Sequence, residues 1–268
     1  MKKNSLIIIG VIVAIFIFIS FFKKSHIPVV HSSPSKEAQQ IFNQAVQMVK
    51  NGDLVEAKQS FQKILLEHAD YENMAAVQKN LNDINTQIIF SNVASASAVI
   101  HEVQPGDTLG KIAKKYNTTI DLIQIRNNIK GNVIRPGQKL SIWTGNLNIF
   151  VDKSQNILML KDGDEVLKIY TVSTGANNST PVGEFTITTK LINPVWFNKG
   201  IVVPPESPQN VLGTRWLGFD LQGYGIHGTV EPETIGQQVT AGCVRMVNEQ
   251  VEELYTIVPI GTKVKIVD

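Results

Sequence analysis

The spacing of apolar residues changes character along this chain, and each change implies a different kind of fold. From Lys36 they recur every three or four positions: Ile41, Phe42, Ala45, Met48 and Val49, then Leu54, Ala57, Phe61, Ile64 and Leu65, then Met74, Val77, Leu81, Ile84 and Ile88, with Asn51-Gly52-Asp53 breaking the first stripe from the second. Stripes of this period predict amphipathic helices packed on one another. From about Asn146 the pattern becomes short runs, 147–151, 157–160, 166–172, 185–191 and 217–221, bounded by Gly, Asn, Asp and Pro, and these predict strands. One helical stripe returns late, at Val251, Leu254, Tyr255 and Val258, with Asn248 placed to cap it. Pro259-Ile260-Gly261 ends that helix and Lys263 to Val267 closes as a strand. The chain of 268 residues has room for two or three small domains, and the change of period demands more than one.

The N-terminus adds a further element. Met1-Lys2-Lys3-Asn4-Ser5 precedes an uncharged apolar run from Leu6 to Phe22, closed by Lys23-Lys24. A bilayer-spanning helix takes about 17–25 residues, so the run is at the lower limit for spanning. It is long for a signal-peptide core, and no A-x-A-like cleavage site follows. It predicts an uncleaved N-terminal transmembrane helix, residues 1–24, followed by a linker, 25–35, that holds Pro28, Ser32-Ser33 and Pro34. Lysines at both ends leave orientation undecided by charge. Residues 36–90 form a small α-helical domain whose first two helices resemble a tetratricopeptide (TPR-like) hairpin, with Gly52-Asp53-Leu54-Val55-Glu56-Ala57 starting the second. Repeats of this kind usually need three or more copies to stand alone. One unit plus a helix therefore reads as a small domain or spacer. Ser91 to Ala98 is an Ala/Ser-rich linker.

A net charge of +2 is too small to suggest a nucleic-acid partner, and no Lys/Arg run interleaved with aromatics is present. There is no Gly-rich phosphate fingerprint. Residues 99–144 read as strand, helix, helix, strand. Val99 to Val103 is a strand, Gln104-Pro105-Gly106-Asp107-Thr108 a turn ending in a cap, and Leu109, Ile112, Ala113 and Tyr116 a helical stripe. Asn117-Thr118-Thr119 breaks it, Ile120 to Arg126 is a second helix, and Arg135-Pro136-Gly137-Gln138 turns into the strand Lys139 to Trp143. The segment HEVQPGDTLGKIAKKYNTTIDLIQIRNNIKGNVIRPGQKLSI, with its PGDTL and RPGQKL blocks, resembles a LysM module over its whole length. The resemblance implies binding to N-acetylglucosamine-containing glycan strands. It assigns sugar contacts to Gly106, Asp107, Thr108 and Leu109 and to Ile129 and Lys130. The alternative for Gly106-Asp107-Thr108 is structural, a turn and a helix cap. Many relatives carry a tryptophan in the first helix, which this module lacks.

The chain has one cysteine, Cys243, and so no intrachain disulfide. Alone it reads as a buried structural thiol before it reads as a nucleophile or a partner in an intermolecular bridge. Its neighbours are Thr240-Ala241-Gly242-Cys243-Val244-Arg245-Met246, and upstream lies Tyr224-Gly225-Ile226-His227-Gly228-Thr229. His227 is the only histidine of the C-terminal segment. A thiol of pKa about 8.5 is only a few per cent ionised at pH 7, and a neighbouring imidazole can take its proton and later return it to a leaving amine. If 243–246 is extended, Cys243 and Arg245 share one face and Val244 and Met246 the other. The cysteine and arginine then suit a cleft, where Arg245 would grip a carboxylate or, alternatively, form a structural ion pair. No histidine is left for a zinc site once His227 is assigned. No carboxylate spacing points to a glycosidase.

Three blocks in order, Thr180-Pro181-Val182-Gly183-Glu184-Phe185, Gly225-Ile226-His227-Gly228-Thr229 and Thr240-Ala241-Gly242-Cys243-Val244-Arg245-Met246, resemble the L,D-transpeptidase (YkuD-type) catalytic domain over about 146–268. The resemblance implies a mainly β catalytic domain, a YkuD-like β-sandwich with a packed helix. It makes Cys243 the nucleophile, His227 the general base and acid, and the Gly228 carbonyl the group that holds the histidine. The Cys243 N–H with the Gly242 backbone would form the oxyanion site, and Arg245 would meet a stem-peptide carboxylate. Thr240 shapes the turn. Tyr224, Trp196 and Trp216 border the cleft or belong to the core. Ala241 stands where many relatives have His or Arg, so that side chain is missing here.

The expected whole is a multidomain peptidoglycan L,D-transpeptidase forming 3→3 cross-links through a cysteinyl thioester. The same chemistry with water or a protein amine as acceptor is the alternative, and a non-catalytic wall-binding protein the remote one. No cofactor is implied. The expected partners are peptidoglycan stem peptides and glycan strands, with the cytoplasmic membrane reached through residues 6–22. The chain is expected to be single-pass, its catalytic domain on the outer side.

Overall fold

The structure, a computed structural model, describes residues 36–198 and 200–268. The expected transmembrane helix and the linker to residue 35 lie outside the described residues. Among the described residues no helix is long and apolar enough to cross a membrane. The chain divides into two compact units, the first ending at Ile88 and the second running from Ile89 to Asp268.

In the first unit the expected stripes become α1 (Lys36–Asn51), α2 (Leu54–Glu67) and the greater part of α3 (Met74–Phe90). Positive φ at Gly52 (+86°) lets the chain turn between α1 and α2 where a side chain would be strained. Ala57, Phe61, Ile64, Val77 and Ile84 are at most 1% exposed. Phe42 meets Phe61 edge-on at 5.5 Å, so the stripes are core, as their period requires.

The second unit opens with β1 (Ala98–Glu102), α4 (Leu109–Tyr116), α5 (Ile120–Arg126) and β2 (Lys139–Trp143), the expected βααβ order. β1 and β2 pair antiparallel, with Ile100 opposite Ser141. The Thr108 and Thr119 hydroxyls cap the two helices by accepting from Lys111 N and Leu122 N. Val103, Leu109, Ile112, Ile123, Leu140 and Ile142 make the core of this segment.

The remainder is the expected β-rich domain, built on eight strands of mixed direction. Its strands are β3 (Leu147–Asp152), β4 (Ile157–Asp162), β5 (Glu165–Thr171), β7 (Gly183–Ile192), β10 (Arg215–Phe219), β11 (Gly225–His227), β13 (Val244–Arg245) and β14 (Lys263–Val267). Their order is β13-β11-β10-β7-β14-β3-β4-β5. The short β6 (Thr174–Gly175) pairs with β12 (Gln238–Thr240), and β8 (Trp196–Asn198) with β9 (Ile201–Val203). The last helix, α6 (Asn248–Ile257), buries Val251, Leu254 and Ile257. Its cap differs from expectation. Val247 occupies the N-cap position without a side-chain bond, because the Asn248 side chain is drawn sideways. It accepts from Thr214 N at 3.2 Å and Thr229 N at 3.1 Å and donates to Thr229 O at 2.9 Å.

Candidate active site

The histidine and the cysteine are brought together by a parallel strand pair at one edge of the sheet. Ile226 sits beside Val244 and His227 beside Arg245. Ile226 and Val244 are both fully buried, and a one-residue slip would turn them out of the core. Burial of two aliphatic side chains therefore sets where His227 lies relative to residues 243–245. On its other edge β11 runs antiparallel to β10, which puts Trp216 opposite His227. The two rings stack at 6.0 Å and 19°.

His227 is 3% exposed, and its Nδ1 lies 2.6 Å from the Gly228 carbonyl. A carbonyl only accepts, so Nδ1 carries the hydrogen and Nε2 presents its lone pair. Burial lowers the His227 pKa to about 4, with the Arg245 charge adding to the shift and the Gly228 bond opposing it. The Gly228 carbonyl is itself placed by its neighbours. A Cβ on Gly228 would lie 2.2 Å from Asn248 Oδ1, so only glycine lets the Asn248 amide reach the backbone there.

Cys243 follows a tight turn. Thr240 Oγ1 accepts from Gly242 N at 3.1 Å and donates to Cys243 O at 2.7 Å, so Thr240 shapes the turn as expected. Gly242 has φ +133°, and a Cβ there would lie 2.8 Å from the Tyr224 ring. The Gly242 N–H is thus engaged by the Thr240 hydroxyl. Among the described residues no acceptor takes the Cys243 N–H. The half-buried thiol donates to Gly223 O at 3.5 Å. Burial raises the Cys243 pKa, partly offset by a hydrogen bond from the Gly225 backbone and by the Arg245 charge. At neutral pH the resting pair is therefore neutral thiol and neutral imidazole.

Arg245 takes the alternative left open by its sequence position. Its Nη1 donates to Glu231 Oε2 at 2.9 Å and to Thr234 Oγ1 at 3.0 Å. It also lines the cleft. That cleft, about 530 Å³, is bounded by Trp196, Phe197, Trp216, Tyr224, His227, Ala241, Cys243 and Arg245, with Leu191, Val195, Val211 and Leu212 among the remaining walls. Trp196 and Trp216 are both half-buried and face the cleft, and Trp216 also packs on the histidine. Ala241 is exposed and leaves that wall without a polar group. Asn248 and Glu231 belong to the site and were not assigned to it from sequence. Asn248 looked like a cap, and a carboxylate meeting Arg245 from a distant turn has no local signal.

The LysM residues fall into two groups. Asp107 Oδ2 accepts from Gln104 N at 2.8 Å and contacts His101 Nε2 at 3.0 Å, and these contacts hold its pKa below the ordinary value. Its carboxylate therefore ties the turn, and Thr108 caps α4, so both side chains are engaged structurally. Leu109 is core and Ile129 packs against it. Gly106, with φ +88°, and Lys130 remain exposed. Among the described residues no metal-ligating group of His, Cys, Asp or Glu forms.

Residues 147–266 match the family model of the L,D-transpeptidase catalytic domain, and residues 101–143 that of the LysM domain. YqjB of Bacillus subtilis, assigned as an L,D-transpeptidase, is 42% identical over 130 residues, 46% of this chain and 73% of that protein. YkuD of Bacillus licheniformis, assigned likewise, is 35% identical over 176 residues, 63% of this chain and 98% of that protein. Among solved structures, an L,D-transpeptidase from Mycobacterium smegmatis aligns with 49% of this chain and 64% of its own, at 20% identity and TM-score 0.40. This chain thus spans a little under two thirds of that protein. The catalytic domain of the Enterococcus faecium L,D-transpeptidase aligns with 46% of this chain and 98% of its own, at 21% identity and TM-score 0.39.

Proposed function

This chain belongs to the L,D-transpeptidase family, and from that premise we propose that it cross-links peptidoglycan stem peptides through a thioester on Cys243. The observation that carries the reading is the 2.6 Å contact of His227 Nδ1 with the Gly228 carbonyl, which leaves Nε2 as a base in the cleft that Cys243 lines.

The thiol proton passes to Nε2 as Sγ attacks the carbonyl carbon of the third stem residue, a diamino acid such as diaminopimelate. The oxyanion that forms meets the unoccupied Cys243 N–H. Collapse breaks the peptide bond, and the terminal D-Ala leaves as an amine with the proton from His227. A side-chain amine of a second stem then attacks the thioester. It forms the new amide of a 3→3 cross-link and returns the proton to the thiol. The depressed pKa of His227 suits a base that must be neutral before each attack, and Arg245 meets a carboxylate of the stem peptide.

The LysM match supports a module that holds the enzyme on glycan and raises local stem concentration. Its contacts run through the backbone of 106–109, since the Asp107 and Thr108 side chains are engaged, and through Ile129 and Lys130. The TPR-like helices serve as a spacer. Residues 6–22 anchor the protein in the cytoplasmic membrane with the catalytic domain outside, where peptidoglycan lies. The test is incubation of the full chain with defined tetrapeptide stems, followed by mass spectrometry of products and of Cys243. Loss of product in Cys243→Ala is expected, and undiminished product refutes the reading. Released D-Ala without dimer would identify water as the acceptor.

A further inference from the structure

Arg245 is the one ionised side chain among the described residues that line the cleft. Glu231 and Thr234 engage the same nitrogen, Nη1. Arg245 Nε is buried and has no hydrogen-bond partner among the described residues. Its holder is built rigidly. Glu231 N donates to Thr229 Oγ1 at 2.9 Å, Thr234 Oγ1 donates to Glu231 O at 2.7 Å, and Ser173 Oγ donates to Thr234 O at 2.7 Å. The Arg245 side chain is 9% exposed and that of Glu231 49%. The arginine is thus fixed in the wall, and its countercharge stands at the rim.

We infer that Glu231 is a specificity-determining residue of this cleft. By pairing with Arg245 through Nη1 at 2.9 Å, it offsets part of the guanidinium charge that faces the cleft. The subsite then draws anionic groups toward Cys243 less strongly than an unpaired arginine would. The inference takes from the proposed function only that acyl donors enter past Arg245 to reach Cys243.

Cys243 is the only cysteine, which allows a direct test on the full chain. Iodoacetate and iodoacetamide both alkylate a thiolate with loss of iodide and differ in the charge of the group delivered beside the sulfur. Their rate ratio is independent of how much thiolate is present. Glu231→Gln keeps an acceptor for Nη1 and removes the charge, and is expected to raise the iodoacetate/iodoacetamide ratio about fivefold, the scale of one unit charge at about 4 Å in a water-like dielectric. Glu231→Asp keeps the charge and is expected to stay within about twofold of the unmodified protein. A Glu231→Gln ratio that is unchanged or lower overturns the inference, as does a Glu231→Asp ratio that rises as much. Because alkylation needs no stem peptide, failure here leaves the transpeptidase reading standing. A protein that passes here and makes no product from stems sinks that reading alone.

Discussion

Replacing Asn248 by alanine tests the architecture behind the histidine. The Asn248 amide makes three hydrogen bonds to the backbone, with Thr214 N, Thr229 N and Thr229 O. It thereby joins the loop before β10 to the segment that follows His227. Thr229 is 3% exposed, so water does not readily replace the lost partner. Each net hydrogen bond is worth about 1 kcal/mol, and a buried group left unpaired costs about 1–3 kcal/mol. Asn248→Ala should therefore destabilise by about 3 kcal/mol. At about 2–4 °C per kcal/mol for a unit of this size, Tm should fall by roughly 6–12 °C. Calorimetry of the full chain measures the shift. Because Gly228 O is held by the same segment, Cys243 acylation at a temperature where the variant is folded should slow at least about tenfold, as expected for a loosened general base. A Tm within about 2 °C of the unmodified protein, together with an unchanged acylation rate, would refute the claim that Asn248 positions the base.

The pH dependence follows from His227. With its pKa lowered to about 4, the Cys243 acylation rate should show no loss near pH 6.5, and a half-loss there, measured by stopped-flow with an acyl donor, counts against a buried neutral base. The folded value lies below the ordinary histidine value of about 6.5, so the stability it contributes is complete above about pH 6.5 and is lost as pH falls through about 4. Urea midpoints should accordingly fall over that interval by more in the unmodified protein than in His227→Gln, and equal falls exclude the mechanism. Gly242→Ala places a Cβ 2.8 Å from the Tyr224 ring at φ +133°; a slowing of iodoacetamide alkylation or of acylation of more than about tenfold is expected from the displaced turn, and rates within threefold would show that the turn tolerates it. Lys190→Met removes donation to Tyr255 O at 2.6 Å and Val258 O at 2.8 Å, which should lower stability by about 2 kcal/mol while leaving the alkylation rate of Cys243 unchanged; a denaturation midpoint that does not move argues that water takes over the two carbonyls.

Much of the fold was legible because its periods are local. The three N-terminal stripes, the βααβ segment and the strands around 147–151, 157–160, 166–172 and 185–191 each carry their own apolar pattern, and each appears within a few residues of its expected place. The short strands were not legible. β8, β9, β11 and β12 have three residues each, too few for a period to show. Asn248 had the residue type and position of a helix cap and was taken by the backbone of two other segments. Arg245 had two readings in sequence, and the ion pair with Glu231 is realised while the same side chain still lines the cleft.

The sequence by itself determined the chemistry: a single thiol, a single histidine in its domain, and the ordered blocks around Thr180, His227 and Cys243. Those are properties of residue types and spacings, which a linear chain displays. Only the tertiary structure decided how the groups are oriented and charged. It placed the His227 Nδ1 hydrogen on Gly228, spent the Gly242 N–H on Thr240, and set Glu231 against one nitrogen of Arg245. Those outcomes depend on the register of two parallel strands, locked by burial of Ile226 and Val244, and on a sixteen-residue crossover whose turns meet across space rather than along the chain.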